Sequence, residues 1–180
     1  MKTRESRRLE RSIRNYLPDL VYGANDGIVT TLVVISSVAG AALSSTVILV
    51  LGFANLLADG FSMGTSNVLS IRSALTRATR PSMGQASRNG IATFVAFVAA
   101  GLLPLSAYLF PLAEGVRFPA ACGLAAASLF AIGACRSIFS DRPWLVSGLE
   151  MLSLGTIASI VAYGVGATAA ALIGESAAKL

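Results

Sequence analysis

The chain has 180 residues, 54% hydrophobic and 13% charged, with a mean hydropathy of +0.71, which excludes an ordinary soluble domain and predicts a single polytopic membrane domain. A net charge of +5 does not mark a nucleic-acid binder, because Lys and Arg sit between apolar stretches instead of mixing with aromatics over a soluble surface. Histidine is absent, which removes the commonest transition-metal ligand and every Ser-His or Cys-His catalytic arrangement.

Residues 1–18 are polar and basic, with Arg4, Arg7, Arg8, Arg11 and Arg14 at helical spacing and Leu9, Ile13 and Leu17 marking another face. This pattern predicts a basic amphipathic helix on the anionic cytoplasmic leaflet. A signal peptide is the competing reading, but the basic region is long, it contains Glu5 and Glu10, and the apolar run that follows exceeds a typical signal core.

Five apolar spans follow, at about 20–43, 47–69, 90–110, 118–139 and 144–173, each reaching the roughly 20 residues that cross a hydrocarbon core. The expected class is therefore all-α, with five transmembrane helices. Ser44-Ser45 is a tight turn, 111–117 and 140–143 are short connections, and only 70–89 makes a longer linker, broken by Pro81 and Gly84. With the amino terminus inside, twelve basic residues face the cytoplasm against Arg117 and Lys179 on the other side. That bias predicts a cytoplasmic amino terminus and, after five spans, an external carboxyl terminus. The Ala- and Arg-rich composition suggests a bacterial inner membrane. Cys122 and Cys135 lie on one span about 20 Å apart, too far to bridge within that helix.

The polar residues inside the spans carry the functional argument. In the second span, 52–70 reads G-F-A-N-L-L-A-D-G-F-S-M-G-T-S-N-V-L-S, so Asn55, Asp59 and Met63 fall at i, i+4 and i+8 on one stripe, with Ser62, Ser66 and Ser70 beside it. The first span opens Y-G-A-N-D-G-I-V-T-T at 22–31, where Asp19, Tyr22, Asp26 and Thr30 share a face. If the two spans form a hairpin about Ser44-Ser45, Asp26 and Met63 are level, roughly 28 Å from the turn and near the cytoplasmic mouth. Asp59 lies a turn deeper. Glu150 enters the fifth span six residues after Trp144, so the acidic groups gather in the cytoplasmic half, although Glu150 could instead pair with Arg136 or Arg142.

Ionisable residues within spans mark ion paths, and carboxylates gathered out of water can carry either a proton or a cation, the exchange chemistry of an antiporter. Oxygen ligands suit Fe(II), Mn(II) and Mg(II), and one thioether biases the set towards the softer transition metals. Gly23, Gly27, Gly60 and Gly64 form small-xxx-small pairs at the same depth, which predicts close helix approach, either between copies in a homodimer or between spans one and two of one chain.

These motifs resemble the vacuolar iron transporter family, with A-N-D-G-I-V-T-T at 24–31 and A-D-G-F-S-M-G-T-S-N-V-L-S at 58–70 matching its first- and second-span motifs, and the fit continues through G-L-E-M-L-S-L-G-T-I-A-S-I-V-A-Y-G-V-G at 148–166. The resemblance implies a homodimer of five-helix subunits that moves Fe(II), and Mn(II), out of the cytoplasm in exchange for protons, with the path at the dimer interface. It carries the translocation carboxylate onto Asp26 and the thioether ligand onto Met63. Two departures stand out: residues 70–89 contain no Asp or Glu, where family members can carry a Glu-rich metal-collecting insertion, and Asn55 stands where they can have a glutamate.

The expected partners are thus a divalent metal ion, membrane lipid and a second copy, with no tightly bound cofactor and no nucleic acid. Two alternatives remain at this stage, proton-coupled export of another cation and a non-transporting membrane assembly or regulatory subunit. Tyr22 alone beside the acidic stripe argues against an organic-cation cage. A lipid-headgroup enzyme would need further aspartates after Asp59, which the sequence lacks, so no enzyme is expected.

Overall fold

A computed structural model describes the backbone of residues 4–73, 82–138 and 142–177 and the side chains of 16–73, 82–138 and 142–174. Five helices account for nearly all of it: α1 (Arg4–Gly40), α2 (Ser45–Ser73), α3 (Met83–Ser106), α4 (Glu114–Arg136) and α5 (Trp144–Ala177). Each contains a stretch long and apolar enough to cross a membrane, the first over Tyr16–Gly40 and the last over Trp144–Gly174. The protein is an all-α, multi-pass membrane protein.

The boundaries differ from the sequence expectation in three places. The basic amino-terminal segment is not a separate element: α1 runs unbroken from Arg4 through Pro18 into the first span. A proline there removes one N–H from the ladder, but hydrogen bonds on either side carry the helix past it. The arginines at 4–14, on which the amphipathic face rests, lie outside the described side chains. The expected linker at 70–89 is mostly helix, since α2 continues to Ser73 and α3 begins at Met83. Arg77, Arg80 and Pro81 lie outside the described residues. Ser82 explains the early start, because its hydroxyl accepts the Gln85 N–H at 3.3 Å, the first half of a capping box.

The reversal between α1 and α2 falls on Ala41–Ser44. Ala42 adopts a left-handed φ of 54°, its N–H bonds Ala39 O at 3.0 Å, and the Leu43 N–H reaches Val38 O at 3.1 Å. This is a Schellman close with alanine where glycine is usual. Ala42→Gly should raise the melting temperature in detergent. Relief of roughly 1–2 kcal/mol of left-handed strain exceeds the 0.5–1 kcal/mol entropic cost of a glycine.

Inside the bundle α1 touches all four other helices, α2 packs on α1 and α3, and α4 packs on α1, α3 and α5. Two buried clusters fill the interior, one around Ile35, Leu56, Phe97 and Leu105 and one around Ile28, Leu32, Ala125 and Leu129. The glycines set the closest approaches. A Cβ at Gly23 would stand 2.6 Å from Thr93 O, and one at Gly27 would overlap the Phe97 carbonyl, so α1 and α3 run with backbones in contact. A Cβ at Gly64 would stand 2.8 Å from Gly90 O, and one at Gly60 would meet Phe94, Phe97 and Val98. All four glycines singled out from the sequence therefore press on α3 of the same chain. The expected close approach is real, but its partner is the third helix, not the α1–α2 pair. The Cβ positions of these residues are filled from within the subunit.

On the outside, Phe61, Leu154, Ile160 and Leu172 are each about two-thirds exposed in the isolated chain, the pattern of helices whose outer faces meet lipid.

Candidate functional site

Asp26 and Asp59 are both half-buried, Asp26 on α1 and Asp59 on α2, and Asp26 lies within electrostatic reach of Asp59. Local sequence places them there. Gly23 and Gly27 hold that face of α1 against α3, and Gly60, next to Asp59, holds α2 against the same helix. Thr30 caps the arrangement by donating its hydroxyl to Asp26 O at 2.6 Å, which occupies the backbone carbonyl and leaves the carboxylate uninvolved in that bond.

Asn55 lies one turn from Asp59, and its amide Nδ2 is buried without a hydrogen-bond partner, as is the hydroxyl of Thr31. A buried polar atom without a partner costs on the order of 1–3 kcal/mol, so such atoms mark places where water or an ion is admitted. Met63 is partly buried against the core cluster that contains Leu56 and Phe97, which turns part of its thioether side chain into packing.

A contact that sequence reasoning missed fixes the register. The Asp19 carboxylate accepts the Asn67 amide at 3.0 Å from α2 and the Asn89 amide at 2.7 Å from α3. Asn67 also donates to the Thr93 hydroxyl at 2.6 Å, and Thr93 donates in turn to Asn89 O at 3.1 Å. With Asp19 opposite Asn67, Asp26 comes about level with Asp59, and Met63 falls roughly one turn nearer the Asp19 end. The sequence expectation placed Asp26 level with Met63; the difference arises because α2 starts at Ser45 after an irregular turn instead of mirroring α1 about its midpoint. Asn67 and Asn89 gave little signal in the sequence: Asn67 follows Thr65 and Ser66 near the end of the second span, and Asn89 follows Arg88 at the end of the expected linker.

Glu150 belongs to a different place. It is bound by the Arg142 guanidinium and lies 3.6 Å from Arg136, so it ties the end of α4 to the start of α5. The three side chains are between about one-third and two-thirds exposed, and such pairs contribute less than about 1 kcal/mol. Glu150→Gln should therefore leave any transport rate within about twofold of the unmodified protein and lower stability only slightly; a collapse of flux in vesicles would place Glu150 on the path.

An apolar cavity of about 240 Å³ between α2 and α3, lined by Phe61, Val68, Ile91 and Phe94 among others, contains none of the acidic groups. Among the described residues no three Cys, Asp or Glu side chains converge. Within one chain the arrangement is two half-buried carboxylates on neighbouring helices, with a carboxamide and a thioether one turn to either side of Asp59 on α2.

Residues 17–80 and 74–167 match the family model described as the VIT family. The chain is 24% identical to a vacuolar iron transporter of Toxoplasma gondii over 90% of its length and 77% of the relative. It is 26% identical to vacuolar iron transporter homolog 3 of Arabidopsis thaliana, covering 83% of this chain and 80% of that one. It is 25% identical to vacuolar iron transporter homolog 2 of rice, Oryza sativa subsp. japonica, covering 83% and 88%. With the match running through all five helices and including both acidic motifs, the chain belongs to the VIT family.

Proposed function

We propose that this protein carries a divalent transition-metal ion, Fe(II) and also Mn(II), out of the cytoplasm in exchange for protons. The path runs along the facing surfaces of α1 and α2, where Asp26, Asp59 and Asn55 supply oxygen ligands and Met63 a thioether. What supports this reading is that two half-buried carboxylates, Asp26 and Asp59, lie within electrostatic reach on neighbouring helices of an apolar bundle, because carboxylates near one another can exchange protons for a cation without leaving a large uncompensated charge. The chain's similarity to vacuolar iron transporters supports iron as the cargo. The distribution of Lys and Arg supports a cytoplasmic amino terminus, in a membrane of the bacterial inner type.

One chain offers three or four donors, whereas a divalent ion in an oxygen-rich site takes up to six, water included. A homodimer in which two such walls face each other about a twofold axis would complete the shell.

The test is counterflow of Fe(II), Mn(II), Zn(II) and Co(II) in proteoliposomes with a pH gradient imposed. Flux of Fe(II) and Mn(II) that accelerates with the gradient is the expected result. Metal flux indifferent to the gradient points to a uniporter, and no metal flux at all points to an assembly or regulatory subunit or to an organic-cation exporter.

A further inference from the structure

A polar group that joins three helices is not one of the proposed ligands. Asp19 has both carboxylate oxygens engaged, Oδ1 by Asn67 of α2 and Oδ2 by Asn89 of α3. Three helices thus meet at one side chain. Bonds to an ionised acceptor are roughly twice as strong as neutral ones, and inside a membrane, where apolar surface gives little net drive for helix association, polar contacts of this kind hold helices together.

The position of this cluster matters for the acidic pair. Thr93, which accepts from Asn67, is also the residue whose backbone carbonyl presses on Gly23, so the cluster is continuous with the Gly23 and Gly27 contacts that weld α1 to α3. α2 is also pressed on α3 near this depth, backbone to backbone at Gly64 and Gly90. The Asn67–Asp19 bond adds a direct polar link from α2 to α1, and the same helix carries Asp59 two turns away and Met63 one turn away. Asp26 lies seven residues after Asp19, about 10 Å along α1. The glycine contacts bring both helices onto α3, and the Asp19 contacts join all three, so a change at Asp19 bears on the separation of Asp26 from Asp59.

We propose that Asp19 is a positioning residue for transport: acting through Asn67 and Asn89, it registers α2 against the α1–α3 pair so that the two carboxylates of the path face each other. The inference rests on the transport reading above. It separates Asp19 from the groups that carry the ion, because the chemistry it needs is two hydrogen-bond contacts and not a charge.

That distinction is testable with conservative variants. Asp19→Ala removes both contacts and should lower the initial rate of Mn(II) uptake in proteoliposomes about tenfold per mole of folded protein, as displaced reacting groups do. In Asp19→Asn the new Oδ1 still accepts from Asn67, and the Asn89 amide can turn over so that its own Oδ1 accepts the new N–H. Both contacts survive without the charge, and the rate should stay within about threefold of the unmodified protein. Asp26→Asn is the comparator and should not be rescued. In parallel, the melting temperatures of Asp19→Ala, Asn89→Ala and the double variant should be non-additive, the double losing little more than either single change. Should Asp19→Ala not fold, Asn89→Ala takes its place in the flux assay and should reduce the rate by a smaller factor.

An Asp19→Asn variant as inactive as Asp19→Ala would overturn the proposal and make Asp19 an ion- or proton-carrying group. Unchanged flux in Asp19→Ala, or additive melting shifts, would overturn it as well. Absence of metal flux in the unmodified protein would sink the transport reading instead, and the non-additivity of the melting shifts would then decide the three-helix contact alone.

Discussion

Asp26→Ala is expected to reduce metal flux in proteoliposomes to the level of protein-free vesicles, while the purified variant keeps the elution volume and melting behaviour of the unmodified protein. The asymmetry follows from what Asp26 touches. Its backbone carbonyl takes the Thr30 hydroxyl, a bond that alanine leaves in place, and its carboxylate lies within electrostatic reach of Asp59, whose like charge opposes it. Removing one of two like charges from a low-dielectric site does not weaken the fold and can strengthen it. The same removal leaves an arriving divalent cation with one carboxylate from this wall and no partner to share its charge. Asp26→Asn should fail as well, because its amide preserves size and hydrogen bonding but not charge. Substantial flux from a well-folded Asp26→Ala protein would overturn the assignment of the path to the α1–α2 surface.

Gly27→Ala is expected to have the largest effect on stability of any single methyl addition near the site. The added carbon would overlap the Phe97 carbonyl, and because that atom is helical backbone it cannot rotate away as a side chain would. α1 and α3 must then separate along the line where Gly23 meets Thr93 and Gly101 meets Gly27. Overpacking of this kind costs about 1–3 kcal/mol and sometimes more. The loss should appear as a melting temperature in detergent well below that of the unmodified protein. Gly164→Ala provides the control, since a Cβ there meets nothing within 4 Å in the chain, and the change should be neutral or stabilising by up to about 1 kcal/mol. A Gly27→Ala protein that melts like the unmodified one would show that α1 and α3 are free to shift. The effect also reaches function, because Gly27 is the residue after Asp26, and moving α1 off α3 moves Asp26 relative to Asp59.

The number of helices, their membrane character and the presence of ionisable residues within the spans were legible in the sequence, because each rests on a local property. Hydropathy over a window of about twenty residues reports a span whatever its neighbours do, and Asp26, Asp59 and Glu150 announce themselves by being ionisable within apolar runs. The small-xxx-small pairs likewise announced close helix contact at Gly23, Gly27, Gly60 and Gly64. Which helix would come close depends on where the third span lies, and no property of spans one and two encodes that. The structure answered with α3 in all four cases. Glu150 shows the same division. Its composition allowed a place on the path or a pairing with arginine, and the α4–α5 turn, by bringing Arg136 and Arg142 together, decided for the pairing. Asp19 was visible only as one member of a face, since its partners stand 48 and 70 residues away and a carboxamide carries no sign of its partner. Local chemistry, the span lengths and the charge pattern are set by consecutive residues and were determined by the sequence alone. The levelling of Asp26 with Asp59, the packing of the glycines on α3 and the three-helix contact at Asp19 join residues distant in the chain, and only the tertiary arrangement of rigid helices about one turn could decide them.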